Sequence, residues 1–193
     1  MVAPQKIAVL GGGTIATNGR NVVLWMRDEE NVARCRQTRE NHLYLPGYQL
    51  HQNLQVSSDL HGSLEGAEVI FFSVPSSAFR ALAKDARQYI ATQAMVISTA
   101  KGIEANTFKL MSEILEEELP EARVGVISGP NLAKEIVNRA ITATVIASDD
   151  ERLCKEVQVL LGSPYFRVYA NRDRFGVELA GALKNIYGIA AGM

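Results

Sequence analysis

Short apolar runs alternate with longer amphipathic segments along most of the chain. The runs predict buried strands at residues 7–10, 22–25, 54–56, 69–74, 95–97, 124–127, 144–147 and 166–169. The segments between them predict helices at residues 28–39, 76–89, 107–119, 131–139 and 149–161. Alternating strands and helices indicate a parallel sheet covered on both faces, and strands that are apolar throughout are typical of such burial. The pattern therefore predicts an α/β fold with a doubly wound, mostly parallel sheet.

Composition narrows the class of protein. The 193 residues suggest one full domain and the start of another, with 47% apolar residues and 21% charged residues. A net charge of −1 offers no basic surface for nucleic acid or membrane, and no apolar run is long enough to span a membrane. Cys35 and Cys154 lack metal-site spacing, so we expect no metal and two inert thiols in a reducing cytosol.

A glycine loop follows the first predicted strand. The segment IAVLGGG places Gly11 and Gly13 directly after apolar residues. Glycines there permit a tight turn and let the backbone approach a pyrophosphate at a helix N-terminus. The third glycine of the G-x-G-x-x-G pattern is absent, so a plain turn remains an alternative. With Thr14, these glycines are candidate dinucleotide-binding residues of a Rossmann-like fold.

The connection between the first and second predicted strands is too short for a parallel crossover. Only eight residues, 14–21, separate Gly13 from that strand, whereas a parallel crossover needs about a dozen or more. Either the protein lacks a crossover helix, or residues are missing from the sequence near Thr14 and Ile15. We favour missing residues because both flanking pieces are well preserved. We expect the Cα atoms across that junction to lie farther apart than ~3.8 Å.

Residues 172–193 predict a long helix that is apolar nearly all round. Such a helix is normally buried, and its expected partner is a further domain that the sequence does not contain. We therefore expect a dinucleotide-binding domain over residues 1–171. Residues 172–193 would be the first helix of a largely absent all-helical domain, with Met193 as an artificial end.

Candidate ligand residues follow several predicted strands, where doubly wound sheets bind ligands. Arg27 suits the 2′-phosphate of NADP, with an exposed arginine beside a helix-capping Asp28 as the alternative. Pro75 and Lys101 also follow strands, with a stiffened turn and a solvated lysine as the alternatives.

The turn SGPN, residues 128–131, also lies between a predicted strand and a predicted helix. Ser128 or Asn131 could bind a polar ligand or cap the following helix, and capping is the commoner role.

The last predicted helix carries Gly181, Lys184 and Gly188 on one stripe. Interior glycines each cost roughly 1 kcal/mol relative to alanine, so we expect close packing against this stripe. A buried Lys184 would need a counter-charge or a ligand, and the alternative is a side chain that reaches solvent. Glu178 and Asn185, on the adjoining stripe, are candidate substrate contacts or supports for such contacts.

Several motifs, taken together and in this order, resemble one enzyme family. IAVLGGG, RENHLYLPG, STAKGIE, SGPNLAKEI, FRVY and GVELAGALKNIYGIAAG are similar to segments of the soluble NAD(P)-dependent glycerol-3-phosphate dehydrogenases of bacterial type. The resemblance runs along nearly the whole chain and is closest to the N-terminal part of that family.

The resemblance implies an oxidoreductase that reduces dihydroxyacetone phosphate to sn-glycerol 3-phosphate with NADH or NADPH. The family works in the cytoplasm, supports glycerophospholipid synthesis and is expected to be a homodimer. By motif, Lys184 resembles the catalytic lysine and Lys101 its partner at the substrate. The full set of candidate site residues is Gly11, Gly13, Thr14, Arg27, Pro75, Lys101, Ser128, Asn131, Lys184 and Asn185.

Two alternatives remain open at this point. One is a related two-domain reductase that acts on a different small hydroxy acid. The other is a dinucleotide-binding module without catalysis, which the incomplete glycine loop favours. Lys184 distinguishes them, because a ketone reductase needs an ammonium group and a binding module does not. The polypeptide as it stands could be inactive, because the family's C-terminal domain is absent.

Overall fold

Eight strands form one sheet in the part of the chain that the computed structural model describes, residues 6–11 and 21–192. A two-stranded hairpin lies beside it. In chain order the strands are β1 (Ile7–Leu10), β2 (Val22–Trp25), β3 (Glu40–Asn41), β4 (Leu45–Gln49), β5 (Leu54–Ser57), β6 (Val69–Phe72), β7 (Met95–Ser98), β8 (Arg123–Ser128), β9 (Thr142–Ala147) and β10 (Phe166–Asn171).

The order of strands in the large sheet is β10-β9-β8-β7-β6-β1-β2-β5. Neighbouring strands are parallel except for the antiparallel pair β8 and β9. The chain builds outward from β1 in one direction through β2 and β5, and then in the other direction from β6. This order confirms the predicted doubly wound, mostly parallel, Rossmann-like sheet.

The helices are α1 (Glu29–Thr38), α2 (Leu60–Leu64), α3 (Ser76–Ala86), α4 (Met111–Glu118), α5 (Ala133–Val137), α6 (Glu151–Leu161) and α7 (Arg174–Ala191). The aspartates that precede α1 and α6 start these helices. Asp28 accepts a hydrogen bond from the backbone N of Asn31 at 3.0 Å, and Asp150 accepts from Arg152 and Leu153. Asp28 is therefore a helix cap, as predicted.

Two hydrophobic cores cover the two faces of the sheet. Along β1, Val9 packs on the side of α1 and α6, while Ala8 and Leu10 pack on the side of α3 and α4. Phe71 and Phe72 of β6 divide in the same way, and neither is exposed. This alternation results from the period of two along a strand, and it explains why the strands are apolar on both faces.

The crossover from β1 to β2 joins parallel, adjacent strands in the register Ile7↔Val22 to Leu10↔Trp25. The junction between Thr14 and Ile15, and Gly13 with it, lies outside the described residues. The expected chain gap at that junction therefore stays a prediction.

The sequence pattern missed the hairpin of β3 and β4 and the short helix α2. It also started α4 too early, at residue 107 rather than Met111. Residues before α4 form a folded loop in which Ile103 and Leu110 pair as an antiparallel bridge. Asn106 and Phe108 have positive φ values of 75° and 59°, and this conformation ends helical periodicity.

The last helix leaves the sheet after β10, so the predicted boundary between residues 171 and 172 lies in the short connection to α7. The division into two domains stays a prediction. Cys35 and Cys154 are buried free thiols, and burial raises the pKa of both. None of the described helices has the length and apolarity that a membrane crossing requires.

Candidate active site

The carboxyl edge of the sheet collects most of the predicted site residues. Because β1, β2, β6, β7 and β8 run in one direction, the residues that follow each strand meet at one edge. These residues are Gly11, Arg27, Pro75, Lys101, Ser128 and Asn131. The switch point of the fold lies between the adjacent strands β1 and β6.

Gly11 makes a close approach at this switch point. Its φ is +116°, and a Cβ built on it would lie 2.3 Å from the carbonyl oxygen of Ser73. Its backbone N donates to the carbonyl oxygen of Trp25 at 2.9 Å. No other residue type fits this turn between β1, β2 and β6, which is the geometry expected of the first glycine in a dinucleotide loop. Gly13 and Thr14 lie outside the described residues.

Two hydroxyl groups that the sequence analysis missed lie beside Gly11. The side chains of Ser73 and Thr99 are 2.8 Å apart, between their Oγ and Oγ1 atoms, and both residues are half-buried. Each residue comes directly after a buried strand. That position is the only sequence signal that would have identified them.

Lys101 lies on the loop after β7, and its Nζ donates to the carbonyl oxygen of Gly129 at 2.9 Å. Partial burial lowers the pKa of Lys101, and the positive charge of Lys184 lowers it further. Two contacts bring the elements that carry these lysines to the turn after β8: Lys101 bonds Gly129, and Gly181, three residues before Lys184 on α7, packs against Ser128 Oγ. The structure therefore brings the loop of Lys101 and the helix of Lys184 to one turn, although the two lysines are 83 positions apart in the sequence.

A charge network holds the loop that carries Lys101. Arg80 of α3 donates to both carboxylate oxygens of Glu104 at 2.7 and 2.8 Å, and to Glu118 of α4 at 2.5 Å. The Thr107 hydroxyl donates to Glu104 at 2.5 Å. These contacts lower the pKa of Glu104 to about 2, with the Arg80 hydrogen bonds as the largest cause. The sequence analysis did not identify this network.

The turn after β8 lies against the start of β9. Asn131 Nδ2 donates to Thr144 Oγ1 at 2.8 Å, and that hydroxyl donates to the carbonyl oxygen of Ser128 at 3.1 Å. Asn131 Oδ1 is buried and has no hydrogen-bond partner among the described residues. The cap position of α5 belongs to Leu132, so Asn131 is not the helix cap. Its free amide oxygen is available to a ligand.

Helix α7 crosses the carboxyl edge of the sheet. Of the two glycines that were expected to pack closely, Gly181 does so and Gly188 does not. A Cβ on Gly181 would lie 2.3 Å from Ser128 Oγ, whereas a Cβ on Gly188 would meet nothing within 4 Å of the described residues. The expectation of close packing is therefore right for Gly181 and wrong for Gly188.

The expectation that Lys184 is buried is also wrong. Lys184 is exposed, because the second half of α7 extends past the sheet. Ile186, Tyr187 and Ile189 are more than half exposed there, at 61%, 67% and 68%. Gly181, three residues earlier on α7, nonetheless packs against Ser128 at the carboxyl end of β8, and the charge of Lys184 acts on Lys101. Asn185 follows it on α7, and its side chain lies outside the described part of the structure.

Arg27 and Pro75 are exposed at the same edge. Arg27 follows β2, and Pro75 directly precedes α3 with a φ of −56°. Both positions are compatible with ligand contact and with the simple turns that the sequence analysis weighed, so their binding roles stay predictions.

The comparison with known proteins decides the family. The family model described as "NAD-dependent glycerol-3-phosphate dehydrogenase N-terminus" matches residues 6–154. The chain belongs to this family. Curated glycerol-3-phosphate dehydrogenases [NAD(P)+] from Ectopseudomonas mendocina and Teredinibacter turnerae are 54% and 50% identical to it over all of this chain and 59% of theirs. The chain thus spans about three fifths of these dehydrogenases.

Solved structures of the family agree. The glycerol-3-phosphate dehydrogenase from Coxiella burnetii superposes with a TM-score of 0.91 at 34% identity, over 97% of this chain and 60% of that one. The Plasmodium falciparum glycerol-3-phosphate dehydrogenase gives a TM-score of 0.90 at 28% identity. The alignment with the Ectopseudomonas dehydrogenase spans 204 positions for 193 residues of this chain. The alignment is longer than the chain, as it would be if a segment of the chain were shortened. The comparison does not show where such a segment lies.

We predict that Glu104→Gln destabilises the protein at neutral pH because it breaks the charged contact with Arg80. The pKa of Glu104 is lowered from 4.5 to about 2, so its stabilising contribution is present above pH 4.5 and is lost as the pH falls towards 2. The difference in unfolding free energy between wild type and Glu104→Gln should be constant above about pH 5.5 and shrink below pH 4.5. Urea unfolding from pH 7 to pH 3 measures it.

Glu65→Gln is the matched control, since Glu65 is exposed and outside this network. Its difference from wild type should be small at every pH. A Glu104→Gln difference that does not change with pH would contradict the role given to the Arg80 contact.

Proposed function

We propose that the full-length protein reduces dihydroxyacetone phosphate to sn-glycerol 3-phosphate with NADH or NADPH. The observation that carries this proposal is that two lysine-bearing elements meet at the carboxyl end of β8: Lys101 Nζ donates to Gly129 O at 2.9 Å, and α7 packs Gly181, three residues before Lys184, against Ser128. We propose that this reaction serves glycerophospholipid synthesis in the cytoplasm. A homodimer, as the family resemblance implies, belongs to the same proposal.

The residues at the switch point fit a dinucleotide. Gly11 has a φ of +116° and packs against Ser73 so closely that a Cβ would lie 2.3 Å from Ser73 O, and a tight glycine turn of this kind is what the first glycine of a dinucleotide loop provides. The Ser73 and Thr99 hydroxyls lie next to this turn, and Arg27 lies exposed at the end of β2, where a ribose or its 2′-phosphate is recognised in such folds. Gly11, Arg27 and Pro75 would hold the cofactor, together with Gly13 and Thr14 of the same loop.

The chemistry needs positive charge at one oxygen atom. Bound reduced nicotinamide supplies a hydride to the ketone carbon. As that carbon is reduced, the carbonyl oxygen gains negative charge and must receive a proton. In this proposal Lys184 stabilises that oxygen and donates a proton to it, and it then becomes a neutral amine.

The positive charge of Lys101 suits a substrate that carries negative charge. Two ammonium groups side by side repel each other, and a phosphorylated substrate relieves that repulsion because it carries negative charge. The polar atoms beside Lys101 suit the substrate's hydroxyl and carbonyl groups. They include Asn131 Oδ1, which lacks a partner among the described residues, and Ser128. With Asn185 they form the proposed substrate set.

The two lysines favour a ketone reductase over a dinucleotide-binding module. A binding module has no use for a second ammonium group that lowers the pKa of the first. A reductase for another small hydroxy acid would use the same lysines, and comparing turnover of dihydroxyacetone phosphate with that of unphosphorylated ketones separates the two.

We predict that Lys184→Ala in the full-length protein lowers kcat for dihydroxyacetone phosphate reduction by about 10³-fold, because it removes the proton donor. Nicotinamide absorbance measures turnover, and fluorescence titration measures the cofactor Kd, which should stay within about twofold of wild type because the dinucleotide loop is unchanged. Lys155→Ala, on exposed α6 surface, is the control and should keep wild-type turnover. Unchanged turnover in Lys184→Ala would refute the mechanism.

We also predict that Arg27→Ala weakens binding of NADPH more than that of NADH. Loss of a charge-assisted contact to the 2′-phosphate should raise the Kd for NADPH by about tenfold or more. Arg34→Ala, another exposed arginine on α1, should change neither Kd. Equal losses for the two cofactors with Arg27→Ala would contradict the 2′-phosphate role.

A further inference from the structure

Helix α4 starts without an acceptor of its own at the cap position. That position is Leu110, whose side chain accepts no hydrogen bond. The first backbone N–H groups of a helix have no partner within the helix and need one from elsewhere. Glu113, in the first turn, accepts from the backbone N of Leu110 at 2.7 Å, but this contact leaves the N–H of Ser112 unsatisfied.

Glu178 of α7 supplies the missing acceptor from 66 residues away. Its Oε1 accepts from the backbone N of Ser112 at 3.0 Å, and its Oε2 accepts from Ser112 Oγ at 2.5 Å. The side chain is 5% exposed. Both carboxylate oxygens are therefore used to cap a different helix. Among the described residues, the hydrogen bonds of Glu178 go to the start of α4, and Glu178 supports α7 in this way.

A second contact one turn away sets the relative direction of the two helices. Arg174 lies 2.5 Å from Glu116, and Glu178 bonds Ser112. Between these two contacts the position advances by four residues on α7, from Arg174 to Glu178, and goes back by four residues on α4, from Glu116 to Ser112. The two helices therefore run antiparallel where they pack against each other. Three residues after Glu178, Gly181 rests on Ser128 Oγ, which fixes the distance of α7 from β8.

The buried carboxylate is costly in its charged form. Burial raises the pKa of Glu178, and the two Ser112 hydrogen bonds and the charge of Arg174 offset only part of that cost. A buried charge of this kind is weak evidence for stability. Its geometric effect, which is to tie α7 to the N-terminus of α4 beside the Arg174–Glu116 contact, is the better explanation for its presence.

We propose that Glu178 is a positioning residue that fixes helix α7 on the N-terminus of α4 and so holds Lys184 beside Lys101. Lys184 follows Glu178 by six residues, about 9 Å along the helix axis. A small tilt at Glu178 therefore displaces the ammonium group. The effect on turnover rests on the proposed function, whereas the anchoring of α7 does not.

The test compares two carboxylates that cap the same helix in the full-length protein. Glu178→Ala removes the cap that comes from α7, and Glu113→Ala removes the cap that belongs to α4 itself. Glu178→Gln keeps the shape, because its amide oxygen can accept from the Ser112 N–H and its NH₂ can donate to Ser112 Oγ. Ser112→Ala, which removes one of the two bonds, serves if Glu178→Ala does not fold.

Two measurements are made on each variant. The first is kcat and KM for dihydroxyacetone phosphate, with the cofactor Kd. The second is hydrogen exchange of the α7 backbone amides, which reports anchoring without any turnover.

We expect Glu178→Ala to lower kcat about 100-fold, as a displacement of about 1 Å does in an active site, with the cofactor Kd unchanged. Exchange across α7 should become at least tenfold faster. Ser112→Ala should also lower kcat and make exchange across α7 faster, but by less than Glu178→Ala does. Glu113→Ala should leave kcat and α7 exchange within about twofold of wild type, and Glu178→Gln should restore most of both.

Two results would overturn the proposal. One is that Glu113→Ala and Glu178→Ala change kcat and α7 exchange equally. The other is that Glu178→Ala, or Ser112→Ala if that variant does not fold, keeps wild-type kcat and exchange. If the wild-type protein turned nothing over, the proposed function would fail. The exchange comparison would still decide whether Glu178 anchors α7.

Discussion

A parallel sheet ends its strands at one edge, and this constraint brings the candidate site together. Six strands of the large sheet run in the same direction, so Gly11, Lys101 and Ser128 reach one edge from distant parts of the sequence. The two apolar cores make the arrangement rigid, since β1 and β6 are buried on both faces. The loops at the edge can then carry polar and charged groups without cost to the core.

The charges at the carboxyl edge of the sheet favour an anionic ligand. The positive charge of Lys184 contributes to lowering the pKa of Lys101, and repulsion between like charges is relieved when an anion binds. The loop of Lys101 is held by the Arg80 and Glu104 contact, and α7 is held by the Glu178 contact with Ser112. In our proposal, these ion pairs and this helix cap hold the two lysines in place. Such preorganisation is where an enzyme gains rate, because the charges need not reorganise during the reaction.

Local sequence predicted the strands of the large sheet because each is a short apolar run next to a turn or helix signal. It also placed Gly11 and Lys101 after strands, and the structure has Gly11 directly after β1 and Lys101 on the loop after β7. It failed where long-range contacts decide the conformation. The early start of α4 reflects the bridge between Ile103 and Leu110, and the exposure of Lys184 reflects how far α7 extends past the sheet. Neither is encoded in the local pattern.

The Arg80 network and the Glu178 cap were missed for the same reason. Arg80 and Glu104 are 24 residues apart, and Glu178 and Ser112 are 66 apart. A charged residue on an amphipathic helix is ordinarily solvated, so only the fold shows that these side chains meet. The family resemblance identified the motifs that carry the lysines, but it did not indicate what holds them in place.

The most direct test of this account is the pKa of Lys101, measured by NMR titration of its side chain in the full-length protein with and without Lys184→Ala. The two ammonium groups are held to be neighbours, so removal of the second charge should raise the pKa of Lys101 towards the ordinary lysine value, while burial keeps part of the depression. An unchanged pKa of Lys101 in Lys184→Ala would show that the two lysines do not share the site, and it would contradict the account.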